Sequence, residues 1–373
     1  MKKEHVGELR VIGMKGCEQF VEQVNNYLKE WRESSPEETF VVKHECPRFG
    51  TGEAKCVIHE TIRGEDVYII ADVFNYSVTY KMYGMTVPMS PDDHYADLKR
   101  IVAAIAGKAR RITVIMPMLY EGRQHKRNAR ESLDCAVMLQ ELIGMGVTNF
   151  LTFDAHDPRI NNAIPLHGFD NVQPTYQMIK ALVKNVPDIV IDKDNLVMIS
   201  PDEGAMQRSI YYSSVLGIDI GMFYKRRNYS IVVNGKNPIE AHEYLGQDLA
   251  GKDVIIVDDM ISSGDSLFDV AKQLKAKGAR RIFNFATFGL FTNGFEKFDK
   301  AYEDGLITKI FTTNLVYHKP ELESKPWWCE VNMCKYVSLL IDTLNHDNSI
   351  GKFIDPVDRI NDFLVRTNKK VIK

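Results

Sequence analysis

The sequence predicts an α/β fold of two similar domains, each with a mostly parallel sheet flanked by helices. Short apolar segments of strand length alternate with amphipathic segments of helical period along most of the chain. Such alternation is typical of parallel sheets covered by helices. The alternation runs twice, and a length of 373 residues also favours about two domains.

Short apolar runs give the predicted strands, which are 67–71, 112–116, 149–153, 196–200, 254–257 and 282–287. Amphipathic runs give the predicted helices, which are 17–33, 94–106, 132–144, 175–184, 204–215 and 266–277. In the last of these, Leu267, Val270, Ala271 and Leu274 recur at helical spacing, and Gly278 ends the run.

We place the domain boundary between residues 170 and 171. The first domain covers 1–170 and is completed by the tail 345–373, and the second covers 171–344. Residues 319–326 contain two prolines and are predicted to be a connection, followed by an apolar helix over 331–344. Residues 74–91 are rich in Tyr and Met without a clear period, which predicts a loop or an insertion.

The composition favours a globular protein, with 45% hydrophobic and 26% charged residues. A net charge of −3 argues against a general nucleic-acid partner. The six cysteines form no C-x-x-C pair, which predicts free thiols in a reducing compartment. No apolar run has the length of a signal peptide or a membrane helix, so we expect a cytoplasmic protein without a membrane partner.

Residues 254–266 (VIIVDDMISSGDS) carry the most informative motif. A buried strand is followed by Asp258 and Asp259, a Ser/Gly loop and a helix. Backbone N–H groups of the loop and the helix N-terminus suit a phosphate monoester at the carboxyl edge of a parallel sheet. The two carboxylates would be repelled by that phosphate, so we expect them to face ribose hydroxyls, a metal ion, or both. The candidate loop residues are Ser262, Ser263, Gly264, Asp265 and Ser266.

A basic cluster follows the predicted strand 112–116. The cluster also includes Gln124, and its four cations are Arg123, Lys126, Arg127 and Arg130. Guanidinium groups pair with phosphate oxygens in a bidentate way, so this cluster at a strand's carboxyl end suits a nucleotide triphosphate.

An Asp and a His follow the predicted strand 149–153. Asp154 and His156 are two positions apart, and in extended backbone such residues point the same way. They could therefore share a metal ion or a phosphate group.

Three adjacent cations, Lys225, Arg226 and Arg227, precede a segment that is typical of a hairpin or a mobile loop. Mobile cations can stabilise the negative charge that develops during phosphoryl-type transfer. A further Ser-Pro-Asp-x-Gly segment contains Asp202 and Gly204, and taken alone it is an ordinary turn.

Taken in order, these segments resemble those of the ribose-phosphate diphosphokinase (PRPP synthetase) family, over roughly residues 8–355. Residues 258–266 resemble the PRPP-binding motif shared with phosphoribosyltransferases, with Ser-Ser-Gly-Asp-Ser where most synthetases have Asp-Thr-Gly-Gly-Thr. Residues 48–70 resemble the family's Phe-Ser-Asp-Gly-Glu segment, with Thr51 at a position that an acid or amide usually occupies. The end of the chain resembles the family's closing helix and short terminal strand.

The resemblance implies two phosphoribosyltransferase-like domains, with ATP at their junction and ribose 5-phosphate on the loop of residues 258–266. It implies Mg²⁺ as cofactor and transfer of the β,γ-diphosphate of ATP to the sugar's 1-hydroxyl. The implied catalytic residues are Lys225, Arg227 and His156. The implied ATP-binding residues are Arg123, Gln124, Arg127, Phe49, Thr51 and Glu53. The implied diphosphate loop contains Asp202 and Gly204, and the implied metal ligands are His156, Asp202 and Asp258.

Relatives assemble as hexamers built from dimers, so the resemblance also implies a homo-oligomer. Two other classes stay open on the sequence. One is a non-catalytic regulatory subunit of a synthetase, which the insertion at 75–90 favours and the intact Lys225 and Asp258 oppose. The other is a diphosphokinase that acts on a different acceptor with a ribose 5-phosphate group, which the changes at Thr51, Ser262 and Asp265 favour.

Overall fold

The computed structural model describes residues 5–127, 129–227 and 239–369, without the side chains of residues 225–227 and 239–242. Contacts between Cα atoms divide the chain into two compact units. Unit 1 comprises Met1–Pro174, Asn314–Tyr317 and Asn332–Asp355, and unit 2 comprises Thr175–Thr313, His318–Val331 and Pro356–Lys373. The C-terminal part of the chain is divided between the two units, because Asn332–Asp355 belong to unit 1 and Pro356–Lys373 belong to unit 2.

The elements follow in chain order. Up to residue 174 they are β1 (Leu9–Gly13), α1 (Glu18–Trp31), β2 (His44–Glu45), β3 (Val57–Ile58), β4 (Asp66–Ile70), β5 (Thr79–Met82), β6 (Met85–Pro88), α2 (Pro91–Ile105), β7 (Arg111–Ile115), α3 (Asp134–Gly144), β8 (Asn149–Phe153), a 3-10 turn (Pro158–Ala163) and β9 (Gly168–Val172). From residue 175 they are α4 (Thr175–Asn185), β10 (Leu196–Ser200), α5 (Met206–Leu216), β11 (Asp219–Arg227), β12 (Ile239–Leu245), β13 (Asp253–Ile261), α6 (Asp265–Ala276), β14 (Ile282–Gly289), α7 (Glu296–Glu303), β15 (Lys309–Thr313), a 3-10 turn (Pro320–Ser324), β16 (Trp328–Val331), α8 (Cys334–Asn345), α9 (Gly351–Ile354) and α10 (Val357–Arg366).

Unit 1 contains a five-stranded sheet in the order β1-β4-β7-β8-β9, and every neighbouring pair is parallel. All five residues of β4 are buried, as expected for a strand of a parallel sheet covered on both faces. Helices α1 and α8 pack against each other, and the Ser338 hydroxyl donates to the Val24 carbonyl at 3.3 Å.

Unit 2 contains a seven-stranded sheet in the order β12-β11-β10-β13-β14-β15-β16. The pairs are parallel except β11 with β12, which is antiparallel. Its core includes a buried aromatic cluster of Phe291, Phe295, Phe298 and Trp327, in which Phe298 stacks on Trp327 with ring centroids 5.4 Å apart. The predicted α/β fold is confirmed.

The six predicted strands and the seven predicted helices each correspond to an observed element, and the largest extension is that of β13, which continues four residues beyond its predicted end to Ile261. Helix α2 begins at Pro91, three residues before the predicted start, because Ser90 forms a capping box with Asp93 and proline occupies the first turn. None of the helices in the described ranges combines the length and apolar character that crossing a bilayer requires.

Two expectations need correction. Residues 79–88 of the segment 74–91 form the hairpin β5–β6 instead of a loop, and its turn has positive φ at Tyr83 (48°) and Gly84 (80°), the conformation that joins two strands tightly. The alternative that the segment is an insertion stays a prediction. The short terminal strand implied by the resemblance is instead the helical turn α9. Helix α10, which was not predicted, packs against α4 in unit 2.

Candidate active site

Strand β13 lies between β10 and β14 in unit 2 and carries both candidate acids. Pairing with β14 continues through the acids, from Asp258 opposite Ala286 to Ile261 opposite Gly289. Asp259 is buried, and its N–H donates to Oδ1 of Asp258 at 2.9 Å. Burial raises the pKa of Asp258 above its ordinary value and the Asp259 carboxylate raises it further, while the charge of Arg208 on α5 opposes both.

The loop that joins β13 to α6 consists of Ser262, Ser263 and Gly264. The Ser262 carbonyl accepts from the Thr292 N–H at 3.1 Å, and the two side-chain hydroxyls lie 3.2 Å apart. Gly264 caps α6 with φ of 82°. A Cβ at this position would lie 2.5 Å from Cζ of Phe298. Glycine is therefore required both for the left-handed backbone and for the available space.

Asp265 begins α6, and its carboxylate is paired. One oxygen accepts from Lys297 Nζ on α7 at 2.7 Å, and the other accepts from the Ser263 hydroxyl at 2.9 Å. Lys297 and then Ser263 lower the pKa of Asp265 below its usual range. The additional negative charge of this loop is thus balanced by a cation from a distant part of the sequence.

Asp202 lies in the turn between β10 and α5. Its Oδ1 accepts from the N–H groups of Gly204 at 2.9 Å and Ala205 at 3.2 Å, and the Ser200 hydroxyl donates to its carbonyl at 2.7 Å. One oxygen of the carboxylate therefore holds the backbone of the turn that precedes α5, in addition to any role toward a ligand.

Lys225 and Arg227 lie at the end of β11, where the backbone pairs with β12 in antiparallel register, Lys225 opposite His242 and Arg227 opposite Ile239. Their side chains and residues 228–238 lie outside the part of the chain that the structure describes. The proposed role of the two cations therefore stays a prediction.

In unit 1 the basic segment lies beside the segment that contains His156. Arg123 and Arg127 are exposed, and the N–H of Gln124 donates to the Glu121 carbonyl at 2.7 Å. The intervening His125 packs against His156 with ring centroids 5.5 Å apart, and its Nε2 lies 3.3 Å from Asp157. The two segments meet because β7 and β8, which precede them, are neighbouring parallel strands.

The backbone at Asp154 is not extended, so a common direction of the Asp154 and His156 side chains does not follow from strand alternation and stays a prediction. Strand β8 ends at Phe153, and Asp154 has φ of 43°, so the alternation of extended backbone does not continue. Asp154 is buried and His156 is exposed.

Strands β2 and β3 belong to the stem of a hairpin. Its tip contains Phe49, Thr51 and Glu53. The Phe49 N–H donates to the Glu53 carbonyl at 2.7 Å, and the Thr51 hydroxyl donates to the Glu53 carboxylate at 2.7 Å. We call residues 49–53 the tip turn. Phe49 is 55% exposed and is available for contact with a ligand or another chain.

The hairpin β5–β6 packs against the tip turn. The Tyr83 N–H donates to the Gly50 carbonyl at 2.8 Å, and a Cβ on Gly52 would lie 2.9 Å from the sulfur of Met82. The Arg48 guanidinium lies over the Tyr80 ring at 4.7 Å. The unusual segment 74–91 therefore supports the position of the tip turn.

A Mg²⁺ ion prefers several carboxylate and other oxygen ligands. Within the described residues, no group of three or more His, Cys, Asp and Glu side chains is arranged to hold a metal ion. Asp258 and Asp259 do fit such an ion together with substrate oxygens, because the Asp259 carboxylate raises the pKa of Asp258 and a cation would relieve the repulsion between the two groups.

Sequence reasoning missed three contributors: Lys297, His125 as a partner of His156, and the side chains of β5. His125 was visible as a basic residue after a strand, but its contact with His156 depends on strand order. For Lys297 and Met82 the local sequence contains no signal.

Two family models match the chain. One is described as the N-terminal domain of ribose phosphate pyrophosphokinase and matches residues 9–146. The other, described as a phosphoribosyl synthetase-associated domain, matches residues 225–353. The two matches cover different parts of the chain, one largely in unit 1 and the other largely in unit 2.

Several known proteins are similar to the chain. The ribose-phosphate pyrophosphokinase of Vibrio cholerae is 27% identical over 309 residues, which are 82% of this chain and 88% of that protein. The enzyme of the same name from Pasteurella multocida is 29% identical over 281 residues, 74% of this chain and 80% of that protein. That of Ureaplasma parvum is 30% identical over 214 residues, and the match spans 57% of this chain and 61% of that protein.

Among solved structures, the crystal structure of phosphoribosylpyrophosphate synthetase from Mycobacterium smegmatis superposes with a TM-score of 0.73. The superposition covers 91% of this chain and 100% of that one, at 17% sequence identity. At this identity the likeness demonstrates the shared fold.

Proposed function

The chain belongs to the ribose-phosphate pyrophosphokinase family, and from this premise we propose that it transfers the β,γ-diphosphate of Mg·ATP to the 1-hydroxyl of ribose 5-phosphate. The products are PRPP and AMP. The 1-hydroxyl oxygen attacks the β-phosphorus, the bond from that phosphorus to the oxygen of the α-phosphate breaks, and the hydroxyl proton is released.

One observation carries the proposal: the arrangement of β13, its two acids, the tight loop and α6 in unit 2. Asp258 and Asp259 lie on the strand, and Gly264 ends the loop at the start of the helix. Backbone N–H groups at that helix start suit the 5-phosphate of a sugar. The carboxylates suit the ribose hydroxyls, which donate hydrogen bonds to them.

The Asp265–Lys297 pair is compatible with a bound phosphate. The Asp265 carboxylate would repel the sugar phosphate if it were unpaired. Because Lys297 Nζ lies 2.7 Å from it, the net charge added to the loop by the two side chains is zero.

We assign the transition-state charge to Lys225 and Arg227. Phosphoryl-type transfer depends mainly on positioning and on stabilising negative charge. Arg123, Gln124 and Arg127 would bind the phosphates of ATP, and the tip turn residues Phe49, Thr51 and Glu53 would contact the base.

Asp258 and Asp202 of unit 2 would hold Mg²⁺ together with oxygens of the substrates, and the role of His156 as a metal ligand stays a prediction. The ion neutralises and orients phosphate oxygens when it is bound. The carboxylate oxygen of Asp202 that accepts from the Gly204 N–H would keep that backbone contact. We further propose that the chain acts in the cytoplasm, where ATP and sugar phosphates are present, as a dimer-based homo-oligomer that sedimentation analysis would detect.

The test is release of AMP from Mg·ATP with and without ribose 5-phosphate, with mass spectrometry of the sugar product. We expect AMP to form only with the sugar, and the product to gain a diphosphate. Absence of sugar-dependent AMP release from folded protein would overturn the proposal in this form. If a nucleotide with a terminal ribose 5-phosphate gave the higher kcat/KM, that acceptor would replace ribose 5-phosphate.

Replacing Lys225 by alanine is expected to lower kcat by roughly 10²-fold or more, because a charge-stabilising group is lost. Lys272→Ala, which removes an exposed lysine of α6, serves as the matched control and should leave kcat unchanged. Equal, measurable activity of the two variants would contradict the role of Lys225, whereas absence of activity in the wild type and in both variants would favour a non-catalytic subunit.

A further inference from the structure

The stem of the hairpin that carries the tip turn contains two cysteines in opposed positions. β2 and β3 pair His44 with Ile58 and Glu45 with Val57, and an isolated bridge pairs Arg48 with Ala54. The same register on both sides places Cys46 directly opposite Cys56.

Backbone hydrogen bonds decide whether Cys46 and Cys56 form a hydrogen-bonded or a non-hydrogen-bonded pair of the antiparallel ladder. The N–H groups of His59, Lys55 and Phe49 donate to the carbonyls of Lys43, Pro47 and Glu53 at 2.9, 3.3 and 2.7 Å. The odd-numbered residues of the two strands therefore form the hydrogen-bonded pairs of this antiparallel ladder. Cys46 and Cys56 are even-numbered and form a non-hydrogen-bonded pair. In such pairs the Cα atoms are about 4.5 Å apart. A disulfide needs a Cα separation of roughly 4.4–6.8 Å.

The two thiols already interact. Cys46 donates its S–H to the sulfur of Cys56, and this hydrogen bond lowers the pKa of Cys56 below its usual value and raises that of Cys46. Both residues are half-buried, whereas Cys17, Cys135 and Cys334 are buried. Cys46 also lines a cavity of about 740 Å³, and Cys56 is partly exposed to solvent.

We propose that Cys46 and Cys56 form a reversible dithiol–disulfide site that reacts with low-molecular-weight disulfides and fixes the stem of the tip-turn hairpin. The Cys56 thiolate attacks one sulfur of the small disulfide, and one small thiolate leaves. The deprotonated Cys46 then attacks the Cys56 sulfur and releases the second small thiolate. Two protein thiols are oxidised, the reagent is reduced to two thiols, and the two protons pass to these thiols.

The experiment uses the full-length protein and glutathione disulfide as the probe. Trypsin cleaves after Lys43, Arg48, Lys55 and Arg63, so residues 44–48 (HECPR) and 56–63 (CVIHETIR) are separate peptides. After oxidation we expect them to be joined, with the loss of two hydrogen atoms from the intact protein and full reversal by dithiothreitol. This readout does not depend on catalysis, so its outcome is independent of the proposed function.

Three variants make the result specific. Cys46→Ser lacks the resolving thiol and is expected to retain glutathione on Cys56, whereas Cys329→Ser, which removes another half-buried cysteine, should still form the cross-link. Cys56→Ser should form neither product. Glutathione bound to both cysteines of the wild type without a cross-link, or a cross-link to a different cysteine, would overturn the proposal.

Hydrogen exchange tests the effect on the hairpin. The N–H groups of Phe49 and Gly52 donate within the tip turn, and their exchange is expected to slow at least severalfold in the oxidised protein. Unchanged exchange at both positions would show that the disulfide does not fix the hairpin.

Discussion

Replacing Gly264 by alanine is expected to destabilise unit 2 through two separate effects. With φ of 82° at this position, an alanine must adopt the left-handed conformation, which costs roughly 1–2 kcal/mol. Its Cβ would lie 2.5 Å from Cζ of Phe298 and 3.0 Å from Cε2 of Phe268, and overpacking of this kind costs about 1–3 kcal/mol. The expected decrease in the free energy of unfolding is therefore about 2–5 kcal/mol.

The cost of the steric overlap with the alanine Cβ depends on how far the Phe298 ring can move. Its ring is 1% exposed, stacks on Trp327 and meets Phe291 edge to face with centroids 5.0 Å apart. Close-packed aromatic rings leave little space for adjustment. We therefore expect part of the displacement to occur in the loop of Ser262 and Ser263, with a rise in KM for ribose 5-phosphate.

Gly305→Ala is the matched control, because Gly305 has φ of 68° and a Cβ there would meet no atom within 4 Å. That variant should show the backbone cost alone, about 1–2 kcal/mol, and an unchanged KM. Urea denaturation followed by circular dichroism, together with AMP release at varied sugar concentration, measures both quantities. Equal destabilisation of the two variants would refute the steric part of the reasoning.

Three further changes have defined expected outcomes. Lys297→Ala leaves the Asp265 charge unpaired beside the proposed phosphate site and should raise KM for ribose 5-phosphate by up to about fivefold, the range of an exposed ion pair. Burial raises the pKa of Asp72 to about 6, so the folded state should lose stability as the pH rises from about 4 to about 6, and Asp72→Asn should flatten this part of the urea-midpoint profile. Met82→Ala removes the side chain behind Gly52 and should raise KM for ATP at least about threefold, with KM for the sugar unchanged.

Each of these has its own control. Lys300→Ala removes an exposed lysine of the same helix α7, and a KM equal to that of Lys297→Ala would exclude a specific role of the ion pair. Met85 is 57% exposed on the hairpin β5–β6, so Met85→Ala should leave KM for ATP unchanged. A wild-type urea midpoint that is constant between pH 4 and 6 would contradict the burial argument for Asp72.

Elements with a strong local pattern were predictable from the sequence. The run Val254–Val257 is apolar throughout, and the spacing of Leu267, Val270, Ala271 and Leu274 is helical, so β13 and α6 follow from short-range preferences. The hairpin β5–β6 was not predicted, because its two strands are only four residues long each and are largely exposed.

The contacts made by side chains within the candidate site were less predictable. The pairing of His125 with Asp157 and its packing on His156 require that β7 and β8 be neighbours, which periodicity does not specify. The expected alignment of Asp154 with His156 assumed extended backbone, and the positive φ of Asp154 removes that assumption.

The sequence by itself determined the α/β class, the order of the main strands and helices and the family resemblance, because these depend on residue spacing within short segments. The tertiary structure decided that Lys297 balances Asp265, that Met82 supports the tip turn and that Cys46 faces Cys56. These contacts join residues from separate elements or opposite strands, and they form only once helices and strands have packed in one register. Local propensity contains no information about such packing, which is why the charge balance of the loop and the opposed position of the two cysteines become visible only in the folded chain.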